Sequence, residues 1–152
     1  MANTYTQLYF HVVFAVKGRK NAISKIWKDD LYKSISGLVA NKNQKLMIIN
    51  GVQNHIHILL GTQPNCMLSE LVRDIKANSS KWINEKKLVE RKFEWQSGFG
   101  GFTIGQSQLP QIIDYIKKQE EHHQSKSFKD EYMEFLKAYK IDFNPEYIFT
   151  DY

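Results

Sequence analysis

From Thr6 to Val16 apolar positions alternate along the chain: Leu8, Phe10, Val12, Phe14 and Val16 fall on one face, with Gln7, Tyr9 and His11 on the other. A period of two marks a half-buried strand, here ended by the basic turn Lys17-Gly18-Arg19-Lys20. Ser24 is placed to cap a helix running to about Ala40, with Ile26, Leu31, Ile35, Leu38 and Val39 inward and Asp29 and Asp30 near its positive end. Residues 45–52 predict a second strand. A turn at Gln53 and Asn54 leads into a third, the run His55-Ile56-His57-Ile58-Leu59-Leu60, which stops near Gly61 and Pro64. Leu68, Leu71, Val72, Ile75, Trp82 and Ile83 recur at helical spacing, so a second long helix is expected from Leu68 to about Glu85, with Arg73, Lys76 and Lys81 on its other face.

Beyond that helix, 93–95 and 102–104 are short strand candidates separated by Gly98, Gly100 and Gly101. Pro110 suits the first turn of a helix, where its missing N–H costs nothing. That third helix is expected to run unbroken to about Gln124. Residues 128–138 predict a fourth, followed by an aromatic tail from Phe143 to Tyr152. The order strand, helix, strand, strand, helix, strand is that of the split βαβ (ferredoxin-like, RRM-like) plan. The expected fold is therefore α+β: one domain over 1–152, an antiparallel sheet with helices on one face and further helices appended at the C-terminus. Such a sheet leaves its second face open to a ligand.

Composition narrows the classes. The chain is 42% hydrophobic and 24% charged, the balance of a globular domain. It has no run of the roughly 18 apolar residues that a membrane span requires. Without a basic-then-apolar N-terminal pattern, a cytoplasmic location is expected. Cys66 is the only cysteine, which excludes an internal disulfide and a thiolate zinc cage. Charge is unevenly spread: residues 1–119 hold 17 Lys/Arg against 8 Asp/Glu, and residues 120–152 hold 4 against 8. A basic body suits a polyanion, since cations that neutralise phosphates release condensed counterions. On its own it is equally a solvated surface.

The candidate chemistry sits on the third strand. Side chains at i and i+2 leave one face, so His55 and His57 point together while Ile56, Ile58 and Leu60 bury the other side. Two imidazoles aimed at one point are half of a metal site; alone, they are as well read as two satisfied histidines. In the third predicted helix Tyr115, Gln119 and His122 follow i, i+4, i+7 beside the apolar stripe Ile112, Ile113 and Ile116. Gln119 can supply an oxygen ligand, and Tyr115 a phenol able to displace a sugar hydroxyl from phosphorus and store the bond as a phosphotyrosine. A divalent ion would polarise the phosphoryl oxygens and offset charge on the leaving oxygen. Imidazoles alone favour zinc or manganese; an amide oxygen and a phosphate move the preference toward manganese or magnesium. No water-activating carboxylate is apparent nearby, which favours a covalent intermediate over hydrolysis. His122 and His123 are expected at the surface or in support rather than as ligands, and Trp82 in the core.

These residues fall in an ordered set. Tyr9-Phe10-His11-Val12-Val13-Phe14 with Lys17 and Arg19 is followed by His55-Ile56-His57, then Ile75-Lys76 with Ser79, Ser80 and Trp82. Trp95-Gln96 with Gly98, Gly100 and Phe102 comes next, and Tyr115-Ile116-Lys117-Lys118-Gln119 with His122-His123 closes it. Over nearly its whole length the chain resembles the single-tyrosine HUH transposases, TnpA-like proteins of insertion sequences that move as single-stranded DNA, and their REP-associated relatives. The resemblance implies Tyr115 as the nucleophile forming a 5′-phosphotyrosine, and His55, His57 and Gln119 as ligands of Mg2+ or Mn2+. It implies binding of hairpins near element ends and cleavage and rejoining of single strands. It also implies a homodimer in which Tyr115 and Gln119 of one chain complete the site on His55 and His57 of the other. One departure is Asn54, where many relatives carry an aspartate; if that acid orients a ligand, metal affinity here is weaker.

Other readings are a replication or transfer HUH nuclease, and a non-catalytic single-strand binding module of the split-βαβ type. Against the first, the chain is small and no helicase or accessory domain follows the single tyrosine. A binding module has no need of His55, His57, Tyr115 and Gln119 together. A histidine-triad hydrolase is disfavoured because position 59 is Leu59.

Overall fold

The computed structural model describes residues 4–123 and 126–141. The alternating segments form four strands: β1 (Leu8–Ala15), β2 (Lys45–Val52), β3 (His55–Thr62) and β4 (Gly100–Ile104). They make one antiparallel sheet in the order β2-β3-β1-β4. Helices α1 (Lys28–Asn41) and α2 (Leu68–Glu85) link β1 to β2 and β3 to β4, the predicted split βαβ plan. Three more follow: α3 (Leu109–Lys117), α4 (Gln119–His122) and α5 (Phe128–Ala138). Among the described residues no helix is long and apolar enough to cross a membrane. The expected aromatic tail, 143–152, lies outside the described residues, as does Gln124, the expected end of the third helix.

The period-two pattern sorts side chains as its geometry dictates. Val12, Phe14 and Val16 with Ile56, Ile58 and Leu60 bury one face under Leu31, Ile35 and Val39 of α1 and Leu71, Val72 and Ile75 of α2. The alternates His11, Val13 and Ala15 with His55, His57 and Leu59 occupy the other face, where Val13 lies opposite His57 and Ala15 opposite His55. That face is not open. Ile116 of α3 packs with Leu59 and Ile104, and Phe128 and Leu136 of α5 pack with Val13, Ala15 and Phe102. The appended helices thus turn the expected ligand-binding face into a second, partly polar core.

Two glycines permit this closure. A Cβ on Gly51 would lie 2.2 Å from the carbonyl oxygen of His55 and 2.8 Å from Cα of Ile56, so only glycine lets β2 approach the start of β3. A Cβ on Gly100 would meet the Tyr132 ring of α5 at 2.6 Å.

Local departures have physical causes. Ser24 does not cap α1; its Oγ accepts from the Ile26 N–H in a preceding turn, and Ile26 points into solvent, 93% exposed, while Trp27 is buried instead. Residues 93–95 do not build a strand: only Trp95 pairs, in an isolated bridge to Val16, because Asn84 satisfies both the N–H and the carbonyl of Phe93. The third helix is broken at Lys118 (φ −98°, ψ 25°), which separates α3 from α4. Trp82 packs against the core, as expected.

Candidate active site

β3 brings His55 and His57 to the covered face, and both are fully buried. Each ring is fixed through its Nδ1. His55 Nδ1 lies 2.7 Å from the Oδ1 of Asn54, an acceptor only, so this nitrogen carries the proton and Nε2 faces inward with a free lone pair. His57 Nδ1 lies 2.8 Å from Nε2 of His11, which β1 places fully buried on the same face. His57 Nε2 lies 2.9 Å from Oε1 of Glu131, an acceptor only, so Nε2 carries the His57 proton and Nδ1 accepts from the Nε2–H of His11. Burial pushes the His55 imidazole down to about 4 and that of His11 to about 3, with His57 adding to the effect on His11. Both are therefore neutral at pH 7.

The appended helices complete the site. Asn50, opposite His57 on β2, donates its amide to the carbonyls of Ile116 and Lys117 at 2.9 and 3.1 Å, fastening the end of α3 over β3. Tyr115 consequently sits half-buried with its ring 5.8 Å from that of His57 and 6.4 Å from that of His11. Despite the break at Lys118, Gln119 stays beside it: Nε2 donates to the Tyr115 carbonyl at 3.3 Å, and its Oε1 is buried with no hydrogen-bond partner. His122 stacks on the Tyr115 ring at 4.5 Å. The predicted Tyr115, Gln119, His122 face is preserved across the break.

Glu131 of α5 corrects the expectation that no carboxylate lies near. Its side chain is buried, with Oε1 2.9 Å from Nε2 of His57 and 3.4 Å from Nε2 of His55, and Oε2 3.2 Å from Nε2 of His123. It also accepts the hydroxyl of Tyr115. Burial favours its neutral form, but His123, His55 and His57 outweigh that and hold the carboxyl well below the usual range. The Tyr115 phenol is pushed above its ordinary value by burial and by its bond to Glu131, so it rests protonated. His123, expected in a supporting place, stands in the cluster with its ring 4.5 Å from that of His55.

One donor atom from each of His55, His57, His123 and Glu131 lies within 4.8 Å of the others. Nε2 of His55 and of His123 makes no well-directed hydrogen bond despite burial, and neither does Oε1 of Gln119. Orphaned buried polar atoms are costly without a partner, and these nitrogen and oxygen donors fit a divalent ion. Beside the cluster opens a cleft lined by Lys25, Lys28, Asn54, His123 and Lys126.

The sequence matches the family model for IS200-like transposases over residues 4–119. The chain belongs to the IS200-like transposase family. It is 29% identical over 125 residues to the transposase of insertion sequence element IS200 from Salmonella typhimurium, covering 78% of this chain and 81% of that one. It is 22% identical over 118 residues to the ISDra2 transposase TnpA of Deinococcus radiodurans, covering 74% and 84%. Two solved structures share the fold. One, a transposase from Deinococcus radiodurans, matches with TM-score 0.64 at 19% identity, over 77% of this chain and 94% of that one. The other, a REP-associated tyrosine transposase bound to a REP hairpin, matches with TM-score 0.62 at 14% identity, over 80% and 72%. Membership of the IS200-like family makes the chain a DNA-cleaving transposase and implies a divalent metal, and a His/Glu cluster with donors for one is present.

Proposed function

We propose that this IS200-like transposase binds hairpins at element ends and cleaves and rejoins single-stranded DNA through a 5′-phosphotyrosine on Tyr115. The observation that carries the reading is the meeting, inside one chain, of a phenol and a converging histidine pair: Tyr115 lies against His57 while His55 and His57 present Nε2 to a common centre. A binding module has no use for such a cluster, and burying it is expensive.

In the proposed reaction the Tyr115 oxygen attacks phosphorus, the new O–P bond replaces the bond to the 3′ oxygen, and a free 3′-hydroxyl leaves. Rejoining is the reverse attack by a 3′-hydroxyl, so the phosphodiester energy is conserved and no high-energy cofactor is consumed. Glu131, which already accepts the phenolic hydrogen bond, holds Tyr115 and its proton in place before attack. His55, His57 and Gln119 are the donors for Mg2+ or Mn2+, an ion that would polarise the phosphoryl oxygens. His11 and Asn54 orient the two imidazoles, and Lys25, Lys28 and Lys126 give the cleft a basic wall for the strand's phosphates. The hairpin in the REP-associated neighbour supports a structured single strand as substrate.

The resemblance implies a homodimer with shared sites. The described chain holds Tyr115 beside its own histidines, which supports a site built in cis. The deciding experiment presents a labelled hairpin carrying a single-stranded flank: a denaturation-resistant protein–DNA adduct that disappears in Tyr115→Phe supports the reading, and cleavage without an adduct overturns it.

A further inference from the structure

The donor set named by the resemblance draws on β3 and α4 alone, yet the cluster holds two more groups. His123 follows α4, and Glu131 lies in the first turn of α5. We infer that His123 and Glu131 are metal ligands of this chain alongside His55 and His57, so that α5 supplies a carboxylate to the centre. This rests on the divalent-ion reading above and widens its donor set.

Three observations carry it. The ligand atoms of His55, His57, His123 and Glu131 lie within 4.8 Å of one another, close enough to converge on one ion. Glu131 is 2% exposed and meets three imidazoles and a phenol, so its negative charge faces groups that carry no fixed positive charge. A buried carboxylate is costly without a compensating cation, and a divalent ion would supply one. Finally, the Nδ1 atoms of His55 and His57 are occupied by Asn54 and His11, while Nε2 of His55 and of His123 lacks a well-directed hydrogen bond. Ligating imidazoles are commonly held in this way, through the nitrogen that does not bind the metal.

The donor chemistry then selects the ion. Three imidazoles and a carboxylate match Zn2+ or Mn2+ better than Mg2+, which prefers oxygen donors and retains water. Because Glu131 comes from α5, the ion would also fasten that helix to the sheet, coupling metal binding to stability.

The test needs no DNA. Co2+ is titrated into the full chain and followed by visible absorption, and Zn2+ affinity is measured by competition with a chromophoric chelator. Glu131→Gln and His123→Asn are each expected to weaken Zn2+ binding by at least about tenfold, the lower end of what losing even a supporting partner costs, and to alter the Co2+ bands. Zn2+ should raise the melting temperature of the native chain more than that of either variant. If both variants bind as the native chain does, while His55→Ala and His57→Ala bind poorly, the inference is overturned and the metal site of β3 stands. If the native chain and His55→Ala bind the ions equally poorly, the metal reading falls and takes the inference with it. Should Glu131→Gln fail to fold by circular dichroism, His123→Asn, altered at a half-buried position, decides the outcome by the same affinities.

Discussion

Tyr115 donates its hydroxyl to Glu131, a carboxylate that lies 16 residues further along and on another helix. The bond ties the proposed nucleophile to α5 and, through the same carboxylate, to His55, His57 and His123. Tyr115→Phe removes the reacting oxygen and this bond together. The expected result is complete loss of the covalent adduct with hairpin affinity nearly unchanged. Stability should fall by about 1.5 to 3 kcal/mol, the usual worth of a hydrogen bond to a charged acceptor. Adduct formation is read on denaturing gels, hairpin affinity by gel shift and stability by urea unfolding. Undiminished cleavage would show that another tyrosine is the nucleophile.

Cleavage is expected to stop in chelator and to return on addition of Mn2+ or Mg2+. His55→Ala and His57→Ala should resemble the chelated protein at every metal concentration that restores the native chain, because each removes an inward-facing Nε2. Single-turnover cleavage of the labelled hairpin measures this. Full activity in chelator would remove the metal from the reaction.

The elements legible in the sequence are those whose period is regular and whose ends are marked. Residues 45–52 and 68–85 form β2 and α2 with the boundaries their patterns predict. The β3 alternation likewise places His55 and His57 on one face opposite Ile56 and Ile58. What the pattern did not reveal is how the second face is covered, because that depends on where the appended helices dock. Their anchors are single contacts with no periodic signature, such as Asn50 on the end of α3 and Tyr132 over Gly100. Glu131 was missed for a related reason: an acidic residue on a helix is usually solvated. Its position carried a signal all the same, since Phe128, Glu131 and Phe135 follow i, i+3, i+7 and set a carboxylate inside an apolar stripe. Ile26 misled in the opposite direction, because α1 begins later than Ser24 suggests.

Asn54 gives a graded test of the support beneath His55. Its amide oxygen does the work of orientation, but a neutral acceptor polarises the imidazole less than a carboxylate would. Asn54→Asp is therefore expected to tighten metal binding, and Asn54→Ala to weaken it about 10- to 100-fold, the range seen when such outer partners are lost. Chelator competition on the three proteins reads the order directly. Equal affinities would show that Asn54 holds the ring without tuning it.

Hairpin binding should weaken steeply as salt rises, because phosphate contacts release counterions. Lys28 lines the cleft beside the cluster and, among the described residues, forms an ion pair with exposed Glu120 at 3.2 Å. Lys28→Ala is expected to lower the slope of log affinity against log salt by about 1, the signature of one lost phosphate contact. Fluorescence anisotropy at several salt concentrations measures it. An unchanged slope would place the strand elsewhere on the basic body.

The last prediction separates a site built within one chain from one shared between two. Tyr115 lies beside the histidines of its own chain, held there by Asn50 gripping the end of α3 and by Glu131 on the phenol. Moving α3 onto a partner would require both attachments, and the packing of Ile116 against Leu59 and Ile104, to be given up and re-formed on the partner's copy of the sheet. The cis arrangement is therefore expected to be the one that cleaves. Mixing a His57→Ala chain with a Tyr115→Phe chain tests it. In cis, each chain lacks one essential group and the mixture stays inactive, even where mixed dimers form. In trans, a mixed dimer would hold one site missing both groups and one intact site, and cleavage of single ends would return. Mixed dimers are confirmed first by differential tagging and co-purification, so that inactivity reports on the site and not on failure to associate. Recovery of adduct in the mixture would show that α3 is exchanged between chains during catalysis.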